Sequence, residues 1–290
     1  MSQALPDGWG ASSPRHDTLT RAYAEGYADL LEAIGRAGGR PTVRTAEFVA
    51  FDSNVPFPFM NCAVPLRPIV DAADPLLDEI AAFFEPDDED TRFLLYSLTP
   101  TPSLAARGWT LMGHPPLMLR PLGPAEAPKP DGLEIVKVTD PDMLATFDAT
   151  MVAAYPVPPL QGRRTFGEGL LDLASWHMWL GRLDGEAVGT AAAWVTDTHV
   201  DVEWISTMPS ERGKRVGEAL TWAATLAAPD KPAILIASDL GQPLYERMGY
   251  LRLSRLTLWI GRRVRVGDRA ALPTRRRQET QPAESTRRAG

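Results

Sequence analysis

At 290 residues the chain is long enough for two domains of about 150 residues each, and its 44% apolar and 23% charged content are those of a globular protein in water. No run of about 18 apolar residues offers a membrane span and no cleavable leader is legible, so a cytoplasmic location is expected. The single cysteine, Cys62, excludes an intramolecular disulfide and a cysteine metal cluster, and His16, His114, His177 and His199 lack ligand spacing, so no metal is expected. The net charge of -7 is uneven: residues 261–290 carry nine arginines against Asp268, Glu279 and Glu284, which is +6 and leaves about -13 on the remainder. Such a body repels nucleic acid and favours cationic or amine-bearing partners, while the tail lacks apolar periodicity and reads as a disordered, solvating extension.

In chain order, residues 1–14 are rich in Gly, Pro and Ser and read as unstructured. A helix follows, with Leu19, Tyr23, Tyr27, Leu30, Leu31 and Ile34 on one stripe and Gly38-Gly39 as its stop. Strands are expected over 42–51 and 59–66, a helix over 75–84 with Asp74 as N-cap and Pro75 at its first position, an acidic turn EPDDED after it, and strands over 92–98 and 117–119. The proline-rich stretch GPAEAPKPD at 123–131 marks a linker. Beyond it the pattern predicts a strand at 133–138 and a helix opened by Asp140-Pro141. A second helix is expected over 166–174, then strands 178–183 and 187–195 about the hairpin signal Asp184-Gly185, and a strand at 200–207. The last part reads as a glycine turn, a helix from Val216, a buried strand at 233–237, a short helix at 243–248 and one or two strands at 249–260.

The turn at 210–217 is the feature with most chemical content. Two glycines and three cations, Arg212, Lys214 and Arg215, precede a helix whose first N–H groups have no intrahelical partner, and phosphate would be held there by amides, macrodipole and cations together.

The order strand, helix, helix, three antiparallel strands, glycine turn, helix, strand, short helix, strands resembles the GNAT superfamily of N-acetyltransferases. The family's CoA signature is Gln or Arg, two residues, Gly, one residue, then Gly or Ala, after a strand ending in a residue-x-Pro turn. It is similar to Arg212-Gly213-Lys214-Arg215-Val216-Gly217 after Thr207-Met208-Pro209, with Arg215 in place of the middle glycine. The family segment Asn-x-x-Ala-x-x-x-Tyr-x-x-x-Gly-Phe is similar to Ser238, Gly241, Tyr245, Gly249 and Tyr250. The resemblance covers about residues 131–260. It implies an α/β (α+β) fold with a mixed, mostly antiparallel central sheet flanked by helices. The N-terminal half is similar in element order to a degenerate second copy without the CoA motif. The implied division is a disordered 1–14, a GNAT-like domain at 15–122, a linker at 123–130, a GNAT domain at 131–261 and an arginine-rich disordered tail at 262–290.

The resemblance further implies acetyl transfer from acetyl-CoA, without a metal, to an amine by direct attack. Ile205, Ser206 and Thr207 would run along the pantetheine, Arg212 to Gly217 including Val216 would cradle pyrophosphate, and Ser238 would hydrogen-bond CoA. Tyr245 takes the general-acid position, a neutral phenol able to protonate a departing thiolate. Strict alternation along 200–207 puts Asp201, Glu203, Ile205 and Thr207 on one face, so two carboxylates share the face that leads into the CoA segment, and either is open as the general base. A different class of function, a catalytically silent acyl-CoA-binding sensor or scaffold, fits the altered turn, and homodimerisation and the identity of the acceptor are left open. Tryptophans 176, 179, 194, 204, 222 and 259 lie on several elements and read mainly as core, as does His177.

Overall fold

The computed structural model describes residues 18–53, 55, 57–84, 92–155 and 165–262. The expected disordered start, the whole EPDDED turn, the loop at 156–164 and the tail beyond Arg262 lie outside the described residues.

Helix α1 (Leu19–Ala37) is opened by Thr18, whose side chain accepts from the Arg21 N–H, and is capped by Gly38. Strands β1 (Thr42–Arg44), β2 (Phe48–Asp52) and β3 (Asn61–Pro65) follow as an antiparallel set. Helix α2 (Pro75–Phe83) starts on the Asp74 cap with proline at the first turn and carries the chain to β4 (Arg92–Ser97), which is parallel to β3. Then come β5 (Thr110–Gly113) and β6 (Pro116–Arg120).

The second half repeats this order. Strand β7 (Leu133–Lys137) leads to α3 (Pro141–Ala154), opened by the Asp140 carboxylate on the Met143 N–H. Strands β8 (Trp176–Leu183), β9 (Glu186–Val195) and β10 (Val200–Thr207) form an antiparallel set. The turn at Asp184 and Gly185 has φ of 50° and 84°, the paired left-handed conformation that matches strand twist in a two-residue hairpin. Helix α4 (Val216–Thr225) crosses to β11 (Ala233–Ile236), parallel to β10, and α5 (Gln242–Arg247), β12 (Leu251–Arg255) and β13 (Thr257–Arg262) complete the described chain. The helix expected over 166–174 is a 3-10 segment limited to Glu168–Asp172.

The strands assemble into two sheets, β1-β2-β3-β4-β13-β5 and β12-β6-β11-β10-β9-β8-β7. Each sheet therefore contains one strand from the other half of the chain, placed in the same position, between the parallel crossover strand and the last strand of its own half. The two crossing links meet: Arg255 donates to the His114 carbonyl at 2.7 Å and the Leu256 N–H to the Pro115 carbonyl at 3.0 Å. Side chains hold both exchanged strands. Arg120 of β6 lies 4.5 Å over the Trp222 ring of α4 and donates to the Met248 carbonyl, and Trp259 of β13 donates to Thr101 Oγ1 at 2.8 Å. A single buried cluster joins the halves, with Tyr23, Leu30, Val64 and Leu94 from the first packed with Phe147, Met178 and Ala192 from the second.

Because each sheet is completed by the other half, unfolding should be one cooperative transition. Trp259→Ala, which empties a buried indole site between β4 and β5, is expected to cost about 3–5 kcal/mol and to lower a single melting transition. Two separated transitions in calorimetry, with only one of them displaced, would contradict this arrangement.

Candidate active site

The site is built on an irregularity in β10. Its register with β9 runs Glu203 to Ala192 and then Ser206 to Thr190, three steps on one strand against two on the other. The extra residue is absorbed at Trp204, whose φ is 51°, a left-handed conformation that costs an L side chain about 1–2 kcal/mol. Two contacts hold it: Thr190 Oγ1 donates to the Trp204 carbonyl at 2.8 Å, and Phe166 meets the indole edge-on at 5.5 Å.

The bulge overturns the alternation expected from the sequence. Ile205 packs with Val200 and Val202 in the core under α4, and Thr207 lies against Gly217 at the start of α4. Asp201 and Glu203 are turned the other way, toward α1, and Ser206 shares a 2.7 Å hydrogen bond with Thr190. The carboxylates therefore do not share a face with Ile205 and Thr207. An extra residue reverses the parity of every side chain after it.

The bulge also parts β10 from β11. The parallel register holds only for Val200 with Ala233 and Asp201 with Ile234, after which β11 continues beside β6 while β10 runs on to Thr207. The pantetheine segment proposed from the sequence, Ile205 to Thr207, borders this gap. Tyr155, at the end of α3, donates to the Ile205 carbonyl at 2.6 Å.

Asp201 is fully buried, and burial first, then the Glu203 charge, pushes its carboxyl well above the ordinary carboxylate range. Burial pushes Glu203 up to about 8. The two titrate as a pair, and Glu203 is the member that gives up its proton first. Tyr245, on α5, is buried, and burial followed by the Glu203 charge lifts its phenol to about 12, so it is a neutral donor at neutral pH.

The glycine turn contains two left-handed residues, and all three of its cations are engaged within the protein. Gly213 has φ of 81° and faces open space, and Arg215, where the family has glycine, takes φ of 62° as the residue before α4. The left-handed conformation thus explains why glycine suits that position, and this chain meets it with a strained arginine. Arg215 forms a two-pronged pair with Glu218 at 2.9 Å, and Lys214 pairs with Glu211 at 2.8 Å. Arg212 donates to the Thr207 and Ala154 carbonyls, tying β10 to α3. Val216 is buried at the first turn of α4, and a Cβ on Gly217 would lie 2.8 Å from Thr207 Oγ1, so glycine lets the helix start close against the strand end. Ser238 Oγ accepts from the Gly241 N–H at the start of α5. A separate open cleft of about 640 Å³ lies between α3 and the β8–β9 turn, lined by Thr146, Ala149, Arg182, Glu186 and Met208, and includes neither the acid pair nor Tyr245.

Sequence reading missed three aromatic contributors from the first half, Tyr23, Tyr27 and Tyr96, all close enough to Glu203 for its charge to raise their phenols. The spacing of Tyr23 and Tyr27 was visible, but four-residue spacing on a helix reads equally as core. Tyr155 stood at the edge of a loop and carried no signal.

An antiparallel set, a parallel pair that splays beside a bulge, and a glycine turn opening a helix thus stand together in the second half. Residues 143–250 match the model of the acetyltransferase (GNAT) family. The whole two-sheet arrangement is shared with a GCN5-related N-acetyltransferase from Kribbella flavida, at 24% identity and a TM-score of 0.58 over 84% of this chain and 97% of that one. It is shared also with a putative GNAT-family acetyltransferase from Novosphingobium aromaticivorans, at 19% identity and a TM-score of 0.52 over 81% and 99%. No curated protein matches the chain. The expected mixed, mostly antiparallel fold is present in both sheets. No helix among the described residues is long and apolar enough to cross a membrane, and no group of side chains among them is arranged to hold a metal.

The raised Glu203 carboxyl has a consequence for stability. Its folded pKa of about 8 lies above the unfolded value of about 4.5, so the folded state holds the proton more tightly. The contribution is full below about pH 4.5 and is lost as pH rises through about 8. Glu203→Gln cannot ionise, so its stability relative to wild type should increase between pH 5 and pH 8.5. Denaturant unfolding at the two pH values checks this, and an unchanged difference would mean that Glu203 is not perturbed.

Proposed function

We propose that the protein is an acetyl-CoA-dependent N-acetyltransferase that acetylates an amine by direct attack. The observation that carries the reading is the splay of β10 from β11, with Glu203 and Tyr245 near enough to interact electrostatically and the glycine turn at its end. The fit to CoA rests on Gly213, which faces open space, on the close start of α4 at Gly217, and on the unpaired N–H groups of its first turn. Bound there, acetyl-CoA supplies an activated acyl carbonyl and a thiolate leaving group. The 213–217 amides and Arg212 hold the phosphates in this reading, and Ser238 lies at the adenosine side.

Glu203 takes a proton from the acceptor's ammonium group, directly or through water, which frees the nitrogen lone pair for attack on the carbonyl carbon. A backbone N–H of 205–207 donates to the carbonyl oxygen as negative charge grows there. Tyr245 gives its proton to the sulfur as the carbon–sulfur bond breaks and is reprotonated by the second proton that the attacking nitrogen sheds on becoming an amide, so one amine proton in effect ends on the thiol and the other, on Glu203, leaves to solvent. Asp201, buried and harder to ionise, keeps its proton and holds the strand environment of Glu203. The excess negative charge of the body suits a cationic acceptor.

One observation favours the sensor reading: Lys214 and Arg215 are paired with Glu211 and Glu218 and would have to exchange those partners for phosphate. Turnover separates the two. Thiol release from acetyl-CoA with a panel of primary amines should show a rate that rises with pH to a midpoint near 8, set by Glu203. Glu203→Gln should lower kcat/KM about 10²-fold or more and remove that limb, and Tyr245→Phe should lower kcat with little change in the KM for acetyl-CoA. Tight acetyl-CoA binding with no turnover for any amine would establish the sensor instead.

A further inference from the structure

Asp201 and Glu203 face the first half of the chain, and what they face is an array of hydroxyls. Tyr23 and Tyr27 sit one turn apart on α1 and stack at 5.6 Å. The Tyr27 ring meets Tyr96 of β4 at 5.4 Å, and the Tyr23 ring meets His199, just before β10, at 5.9 Å. Gly26 allows this approach, since a Cβ there would come within 3.0 Å of Thr196 and 3.1 Å of His199. The groups around Glu203 that can titrate are Tyr23 and Tyr27 from α1, Cys62 and Tyr96 from β3 and β4, Tyr155 and Tyr245 from α3 and α5, and Asp201 on its own strand. The tyrosines and the cysteine are neutral at neutral pH, and burial raises Asp201 as well.

Within this array the Tyr23 hydroxyl and both Asp201 carboxyl oxygens are buried and have no hydrogen-bond partner among the described residues. Three such atoms on facing elements are costly unless something polar joins them, and a bridging water is the ordinary guest of so small a polar space. Tyr27 differs in that hydrogen bonding ties it to Tyr96.

We propose that Tyr23 and Tyr27 of α1 are positioning residues for the Asp201–Glu203 pair, so that the first half of the chain completes the active site of the second. Tyr23 acts through a water shared with Asp201, and Tyr27 through its place between Tyr23 and Tyr96. The Tyr23 hydroxyl presents a donor to the acid pair and eases its ionisation, offsetting part of the cost of burial, and Tyr27, hydrogen-bonded to Tyr96, fixes where Tyr23 stands. Tyr23→Phe and Tyr27→Phe each remove one donor and little volume.

The inference rests on the acid–base reading above, and its test does not depend on turnover. Infrared titration of the full chain follows the protonated carboxyl band, assigned to Glu203 by its loss in Glu203→Gln. Each Tyr→Phe variant should move the midpoint upward by about half a pH unit or more, roughly threefold in proton affinity. Where an amine is turned over, the ascending limb of kcat/KM should move with it while the KM for acetyl-CoA stays put. A purely structural Tyr23 predicts the reverse pattern: Tyr23→Phe would raise the melting temperature by removing an unsatisfied hydroxyl and leave the midpoint where it was. Should Tyr23→Phe fail to fold, Tyr27→Phe decides alone, and an unmoved or lowered midpoint overturns the proposal. Loss of turnover in the wild type with a shifted infrared midpoint would sink the acetyltransferase reading and leave this one intact.

Discussion

One strained residue shapes the site. Trp204 is held in a left-handed conformation in the middle of a buried strand, an arrangement that persists only where the surroundings over-determine it. Here the surroundings are the Thr190 hydroxyl on its carbonyl and the edge of Phe166 on its ring. Two things accompany the strain. The pairing of β10 with β11 ends after two residues, which opens the space between them, and the bulge turns Ile205 and Thr207 to the α4 side while the acid pair before it stays toward α1. A regular strand would have put Ile205 and Thr207 on the same face as the carboxylates.

The second organising fact is the reciprocal exchange of β6 and β13. Each half repeats an antiparallel set, a crossover helix and a parallel strand, and each borrows its next strand from the other. Such a repeat supports the proposal of a duplicated GNAT-like unit in the first half, although that copy has no glycine turn before its crossover helix. The first half presents α1 and its tyrosines to the acid pair of the second. The shared core, running from Tyr23 and Leu30 to Phe147 and Met178, packs the two halves together.

Much of the secondary structure was legible because its signals are local. Asp74-Pro75 and Asp140-Pro141 cap helices by side-chain acceptors, Asp184-Gly185 sets a hairpin by its two positive φ angles, and Gly213 to Gly217 opens α4. Three features were not legible, each for a non-local reason. Strand β5, at Thr110–Gly113, is largely exposed and shows no alternation, and it exists because the distant strand β13, Leu258 to Ile260, arrives to pair with it. The exchange itself has no sequence signature, since β6 and β13 look like ordinary apolar strands wherever they are placed. The bulge at Trp204 falls within a run that alternates well, and the physical reason for it, the contacts to Thr190 and Phe166, is tertiary. Of the candidate site, the glycine turn opening α4 and the nearness of Asp201 to Glu203 were legible as local pattern; that Ile205 and Thr207 leave the face of the acids was not. The departure at Arg215 was visible as a mismatch, and its φ of 62° explains it as a glycine-suited position filled at some cost.

The central claim is that the gap between β10 and β11 takes CoA with its phosphates on the glycine turn. A crystal structure with bound CoA tests it most directly. The account requires the pyrophosphate on the backbone N–H groups of 213–217, with Lys214 or Arg215 released from its carboxylate partner, and the thiol between the strands within reach of the Tyr245 hydroxyl. CoA bound elsewhere, or phosphates excluded from the turn with the Arg215–Glu218 pair intact, would contradict it.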